Sequence, residues 1–116
     1  MIEVSVVIPC INEEKTIESC IRKAKESFNR SDLSGEVIIV DNGSTDNTVK
    51  ISKDNGAVVV SEQRKGYGNA LRRGIQTASG KYIVMGDGDD TYDFTEIDKF
   101  VASFISSVVK KPMPPF

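Results

Sequence analysis

An α/β fold is predicted by three features of the 116-residue chain. Short β-branched runs alternate strictly with helix-patterned segments, glycines or prolines punctuate the changes, and no repeat or low-complexity block interrupts the order. Such alternation implies a doubly wound, mainly parallel sheet of about four strands with helices on both faces. At this length the whole chain, residues 1–116, is expected to be a single domain with a real core.

The first run, EVSVVIP, is a strand that Pro9 closes. In the following NEEKTIESCIRKAKESFN, Ile17, Ile21, Ala24 and Phe28 share one helical face; Asn12 is placed to cap that helix, with Glu13 and Glu14 in its first turn. GEVIIVD is the second strand, and STDNTVKISKDNG is a shorter helix that Ser44 can cap and Gly56 can end. AVVV makes the third strand. After a basic loop, GNALRRGIQTASG carries Ala70, Leu71, Ile75 and Ala78 in one apolar stripe, stopped by Gly80. KYIVMGD is the fourth strand, and FTEIDKFVASFISSVV closes the pattern with Ile97, Phe100, Val101, Phe104 and Val108 on one face. The order is Rossmann-like, and ligands of such sheets bind outside the carboxyl ends of the strands. Three polar turns lie at those ends: Pro9 to Glu13, Asp41 to Ser44, and Asp87 to Asp90.

Composition removes several function classes. Hydrophobic residues make up 39% and charged residues 28%, and the net charge of −2 offers no basic field for nucleic acid or anionic lipid. The absence of histidine excludes histidine catalysis and histidine metal sites. Cys10 and Cys20 are too few for a disulfide framework, so a reducing, cytoplasmic compartment is expected. MIEVSVVIP reads as a strand rather than a signal peptide, and no run approaches the roughly 18 apolar residues of a membrane span.

The acids of DGDD surface where a buried strand ends. An Asp-x-Asp pair there can turn two carboxylates to one side, matching the oxygen preference of Mg²⁺ or Mn²⁺; the competing reading is a solvated acidic turn. Asp90 and Asp93 suit turn or capping roles. Asp41, at a strand tip before Gly43 and Ser44, could accept hydrogen bonds from a base or sugar, or close an Asx-type turn onto a helix start that favours anions. Arg64 and Lys65 beside Gly66 and Gly68 form a basic loop suited to a diphosphate. Gly66, Gly68 and Leu71 echo only part of a dinucleotide fingerprint, and after the wrong strand; Arg72 and Arg73 read as solvated surface charges.

Taken together, VVIPCINEEKTI, EVIIVDNGSTDNT, RKGYGNALRRGI and YIVMGDGDDTYDF resemble, in order and spacing, the nucleotide-binding half of family 2 glycosyltransferases, which have the GT-A fold. The last two segments look most like the branch that makes polyprenyl-phosphate sugars, such as dolichol-phosphate mannose synthases. The resemblance implies inverting transfer from a nucleotide-diphosphate sugar, a UDP- or GDP-sugar, to an acceptor such as polyprenyl phosphate at the cytoplasmic face of a membrane. It also implies site residues. Pro9, Asn12 and Glu13 match the turn that holds base and ribose, and Asp41 matches the acid on the base. Lys65, Gly66 and Gly68 fall in the loop near the diphosphate, Asp87 and Asp89 match the metal-holding pair, and Asp87 also contacts the donor.

Ile11 stands where the family usually has an aromatic residue, and Asn42 replaces a frequent second aspartate, a change that reads as mild. Family members continue into an acceptor half that supplies the general base, so the chain is expected to be a truncated GT-A unit that binds donor with little turnover. An exposed sheet edge left in this way could pair two copies into a homodimer. Two alternatives stay open. VMGDGDDTY also fits the signature of haloacid-dehalogenase-like phosphatases, with Asp87 as nucleophile and Asp89 as acid/base, although that signature normally sits on an early strand. The other is a nucleotide-binding fragment without transfer chemistry.

Overall fold

The structure is a computed structural model and describes residues 1–99 and Val101. Four strands, β1 (Val4–Cys10), β2 (Gly35–Asp41), β3 (Val58–Ser61) and β4 (Tyr82–Met85), form one sheet in the order β3-β2-β1-β4. Every pairing is parallel. The helices between them are α1 (Ile17–Arg30), α2 (Thr48–Asp54) and α3 (Tyr67–Thr77), followed after β4 by a 3-10 turn, Phe94–Glu96.

Central position explains why β1 is apolar with little alternation: all seven of its residues are buried between β2 and β4 and under helices on both faces. Val4, Val6, Ile8 and Cys10 point to one layer with α1, Phe94, Ile97 and Val101; Val7 joins Ile38, Val40 and Ala70 of α3 on the opposite face. The chain winds from β1 out to β3, and α3 then carries it back to set β4 on the other side of β1. The winding therefore reverses between β1 and β4, where a ligand crevice is expected.

Pro9 does not close β1, contrary to the sequence expectation; the strand continues to Cys10, with Pro9 opposite Val40. The Val7 carbonyl accepts from Gly86 N–H on the β4 side, while that of Cys10 accepts from Asn42 N–H on the β2 side. By that alternation Pro9 faces the β4 side, but β4 pairs with β1 only as far as Val7. Its missing N–H thus breaks no ladder bond.

Helix ends differ from expectation in physically clear ways. A turn intervenes before α1, so Asn12 does not cap it; Ile17, Cys20, Ile21, Ala24 and Phe28 nonetheless form its buried stripe. Nor does Ser44 cap α2: the Thr48 N–H bonds Asp46 Oδ1 at 2.9 Å instead. Gly56 does end α2, with φ of 81°, as Gly56 N–H reaches the Lys53 carbonyl and Ala57 N–H the Ser52 carbonyl. Gly80 is not the stop of α3, because Ala78 is already extended. A Cβ on Gly80 would lie 2.6 Å from Ser5 N, so glycine there permits close contact with β1. Phe100, Phe104 and Val108 lie outside the described residues.

Asp98 ties the segment after β4 to α1. It pairs with Arg30 at 2.7 Å and also accepts from the hydroxyls of Ser27 and Ser31. The Arg30 guanidinium first, then Ser31, hold its carboxyl well below the usual carboxylate range. A depressed carboxylate stabilises the fold fully above its unfolded value, 3.8 here, and loses that contribution as pH falls. Asp98→Asn is therefore expected to be less stable than wild type at pH 7, with the gap narrowing toward pH 2. Urea unfolding at both pH values checks this; an equal gap at both would contradict it.

Candidate functional site

A cleft of about 450 Å³ opens at the predicted crevice, beyond the carboxyl ends of β1 and β4. Pro9, Glu13, Lys65, Gly66, Asp87 and Asp89 all line it, so residues from three separate loops meet in one cavity. Asn12, Asp41 and Gly68 are absent from its lining.

Those three have other structural positions. Asn12 adopts the left-handed backbone, φ 53°, which asparagine tolerates better than most residues. Its Oδ1 accepts the Thr45 N–H at 2.8 Å and its own N–H donates to Ser44 Oγ at 2.9 Å, which binds the loop after β1 to the loop after β2. The Asp41 carboxylate, 8% exposed, accepts the Ser44 N–H at 3.1 and 3.3 Å, the Asx-type turn that was one of its two sequence readings. Gly68 lies inside α3, and a Cβ there would meet nothing within 4 Å.

The acidic loop after β4 is held from below and behind. Gly86 N–H bonds the Val7 carbonyl, Thr16 Oγ1 donates to the Gly88 carbonyl at 2.5 Å, and Asp90, φ 65°, pairs with Lys23 at 3.0 Å. Asp93 caps the 3-10 turn through Thr95 N–H. Asp87 and Asp89 remain exposed at the cleft. Thr91 donates its hydroxyl and N–H to Asp89 Oδ1 at 2.6 and 3.1 Å, holding that carboxyl below its ordinary range.

Tyr67, the first residue of α3, also lines the cleft, beside Asp87. Burial, and then the neighbouring Asp87 carboxylate, push its phenol above the ordinary range. Lys65 Nζ donates to the Asn42 carbonyl at 2.9 Å, whereas Arg64 folds back onto Glu62 at 3.2 Å and lies outside the cleft. Cys10 also lines the cavity, but burial and then Asp41 push its thiol up to about 12, so it is a poor nucleophile. Tyr67 and Asn42 had not been assigned to the site from sequence. Tyr67 stands between Gly66 and Gly68 at a helix start and Asn42 follows a strand-end aspartate, local signals equally common in ordinary turns.

Two exposed carboxylates supply hard oxygen donors that fit Mg²⁺ or Mn²⁺, ions that fill their remaining positions with water or phosphate oxygens. Among the described residues no group of three or more acidic, cysteine or histidine side chains is placed to hold a metal. Nor, among them, is any helix long and apolar enough to cross a membrane.

The sequence pattern of "Glycosyl transferase family 2" matches residues 5–108. The chain belongs to that family. Family membership leaves the phosphatase alternative without support. The low-salt glycan biosynthesis hexosyltransferase Agl6 of Haloferax volcanii is 43% identical over 84% of this chain and 23% of its own length. A dolichyl-phosphate beta-glucosyltransferase of Dictyostelium discoideum is 32% identical over 84% of this chain and 34% of its own. Among solved structures, glucosyl-3-phosphoglycerate synthase from Mycobacterium tuberculosis, in complex with Mn²⁺, UDP-glucose and phosphoglyceric acid, superposes with a TM-score of 0.65. It is 38% identical over 74% of this chain and 33% of that one. This family 2 chain thus spans a quarter to a third of the length of these relatives, and its fold is the Rossmann-like GT-A arrangement.

Proposed function

We propose that this family 2 chain is the donor-binding unit of an inverting glycosyltransferase that takes a nucleotide-diphosphate sugar, UDP- or GDP-linked. The observation that carries this reading is the convergence of Asp87, Asp89 and the Lys65 loop on one cleft at the reversal of the sheet. Asp87 and Asp89 would hold Mg²⁺ or Mn²⁺, which when bound neutralises charge growing on the departing diphosphate. Lys65 adds a positive charge to the lining of the same cleft, and Glu13 and Pro9 line it as the groups that a nucleoside would meet.

In the transfer itself, the acceptor oxygen forms its bond to the anomeric carbon from the face opposite the departing nucleoside diphosphate, which inverts the configuration. A phosphate acceptor is already deprotonated and lowers the demand for a general base. The dolichyl-phosphate relative supports a polyprenyl-phosphate acceptor, and the bound UDP-glucose and Mn²⁺ of the solved relative support the donor and ion.

Calorimetric titration of the 116-residue chain with UDP and with GDP, each with and without Mn²⁺, tests the donor assignment. One nucleotide is expected to bind only, or far better, with the ion. Failure of both in its presence rejects the reading. Because the chain spans only 23%, 34% and 33% of the three relatives described above, it is also expected to bind donor without efficient transfer; rapid turnover with added polyprenyl phosphate would contradict that.

A further inference from the structure

Asn42 spends nearly every polar group it has on the loop between β3 and α3. Its Nδ2 donates to the carbonyls of Glu62 at 2.8 Å and Arg64 at 2.9 Å, and its Oδ1 accepts the Gly66 N–H at 3.1 Å. Its carbonyl accepts from Lys65 Nζ at 2.9 Å, while its N–H is anchored on the Cys10 carbonyl at 3.0 Å. The side chain is 9% exposed, so these bonds are made to protein with little help from water. Two carbonyls demand a donor and one N–H demands an acceptor, and that pairing fixes how the amide must point.

Gly43 gives independent support. Its φ is +110°, a backbone that favours glycine, and the tip of Lys65 rests over it, since a Cβ there would stand 2.2 Å from Lys65 Nζ. The end of β2 is thus shaped to receive this loop and its lysine.

Resting on the donor reading above, we propose that Asn42 is a positioning residue of the donor site, clamping the loop 62–66 so that Lys65 meets the diphosphate. An aspartate, nearly the same shape but without donors, sets a carboxylate oxygen against the carbonyls of Glu62 and Arg64 in a largely dry place. The replacement that reads as mild in sequence is therefore decisive for this loop. Lys65 acts on the ligand; Asn42 acts through Lys65.

The test uses calorimetry of the whole chain with Mn²⁺, titrating UDP and GDP beside uridine and guanosine, which lack the diphosphate. Asn42→Asp is expected to weaken the bound nucleotide roughly tenfold to a hundredfold, with the matching nucleoside changed by less than about twofold. Lys65→Ala should show the same split, and the double variant should be no weaker than the poorer single one. Asn42→Ala, which adds no buried charge, gives the same pattern if Asn42→Asp folds poorly. Unchanged nucleotide affinity, or equal loss of nucleotide and nucleoside, overturns the proposal. Trypsin, which cuts after Arg64 and Lys65, reports the clamp without any ligand and should cut this loop faster in Asn42→Asp and Asn42→Ala than in wild type. If wild type binds no nucleotide the donor reading falls, and equal trypsin rates would then remove the clamp as well, whereas faster cutting of the variants would leave the clamp in place.

Discussion

Asp87→Ala is expected to lower Mn²⁺-dependent affinity for the donor nucleotide by about a hundredfold or more. Residues that merely support a metal ligand commonly contribute 10–100-fold, and a side chain that touches the ion should contribute at least as much. Thermal stability should barely change, because the Asp87 side chain is exposed at the rim of the cleft. Asp90→Ala serves as the contrast. It removes a carboxylate from the same acidic turn, but one that pairs with Lys23 of α1 and does not line the cleft. Calorimetry of the two variants separates a metal-holding pair from a solvated acidic turn. Equal, small effects from both would favour the turn and remove the basis for donor binding.

Phe94→Ala is expected to destabilise the fold by about 3–5 kcal/mol, the usual range for emptying a buried phenylalanine site. Phe94 is 0% exposed and packs in the layer with α1 and Ile8. It also lies directly under the acidic loop: a Cβ on Gly86 would come within 2.7 Å of its ring, and Tyr92 meets it edge-on at 4.9 Å between centroids. The loss is a large share of the roughly 5–15 kcal/mol that holds a domain folded. Urea unfolding measures it, and a shift below about 1 kcal/mol would show that the ring does not fill this site. In whatever fraction stays folded, nucleotide binding should also weaken, since the floor of the Asp87 loop has been removed.

Most of the fold was legible because its signals are local. The Ile17, Ile21, Ala24 and Phe28 stripe of α1 records a buried face at helical period, and β1 and β2 record strands covered on both sides. Helix starts were misplaced for one reason. Asn12 and Ser44 have ideal capping chemistry, but each is satisfied by the other's loop, with Asn12 N–H on Ser44 Oγ and Thr45 N–H on Asn12 Oδ1. A partner more than thirty residues away outcompeted a helix end close by. Gly74 carries no signal within the apolar stripe, yet it is where α3 presses on the sheet: a Cβ there would stand 2.2 Å from Val7 Cγ1.

Chain order and residue chemistry were enough to establish strand–helix alternation, the acids at the end of β4 and a polar rim, because periodicity and turn preference act within a few residues. Which rim residues share a cavity depended on strand order and on side chains meeting across loops. Asp87, Asp89 and Lys65 come together because β4 returns beside β1, while Asp41 turns to Ser44. Asn42 gained its part only when the loop after β3 folded over it, since hydrogen bonds between distant residues are created by packing and leave no periodic trace in the chain.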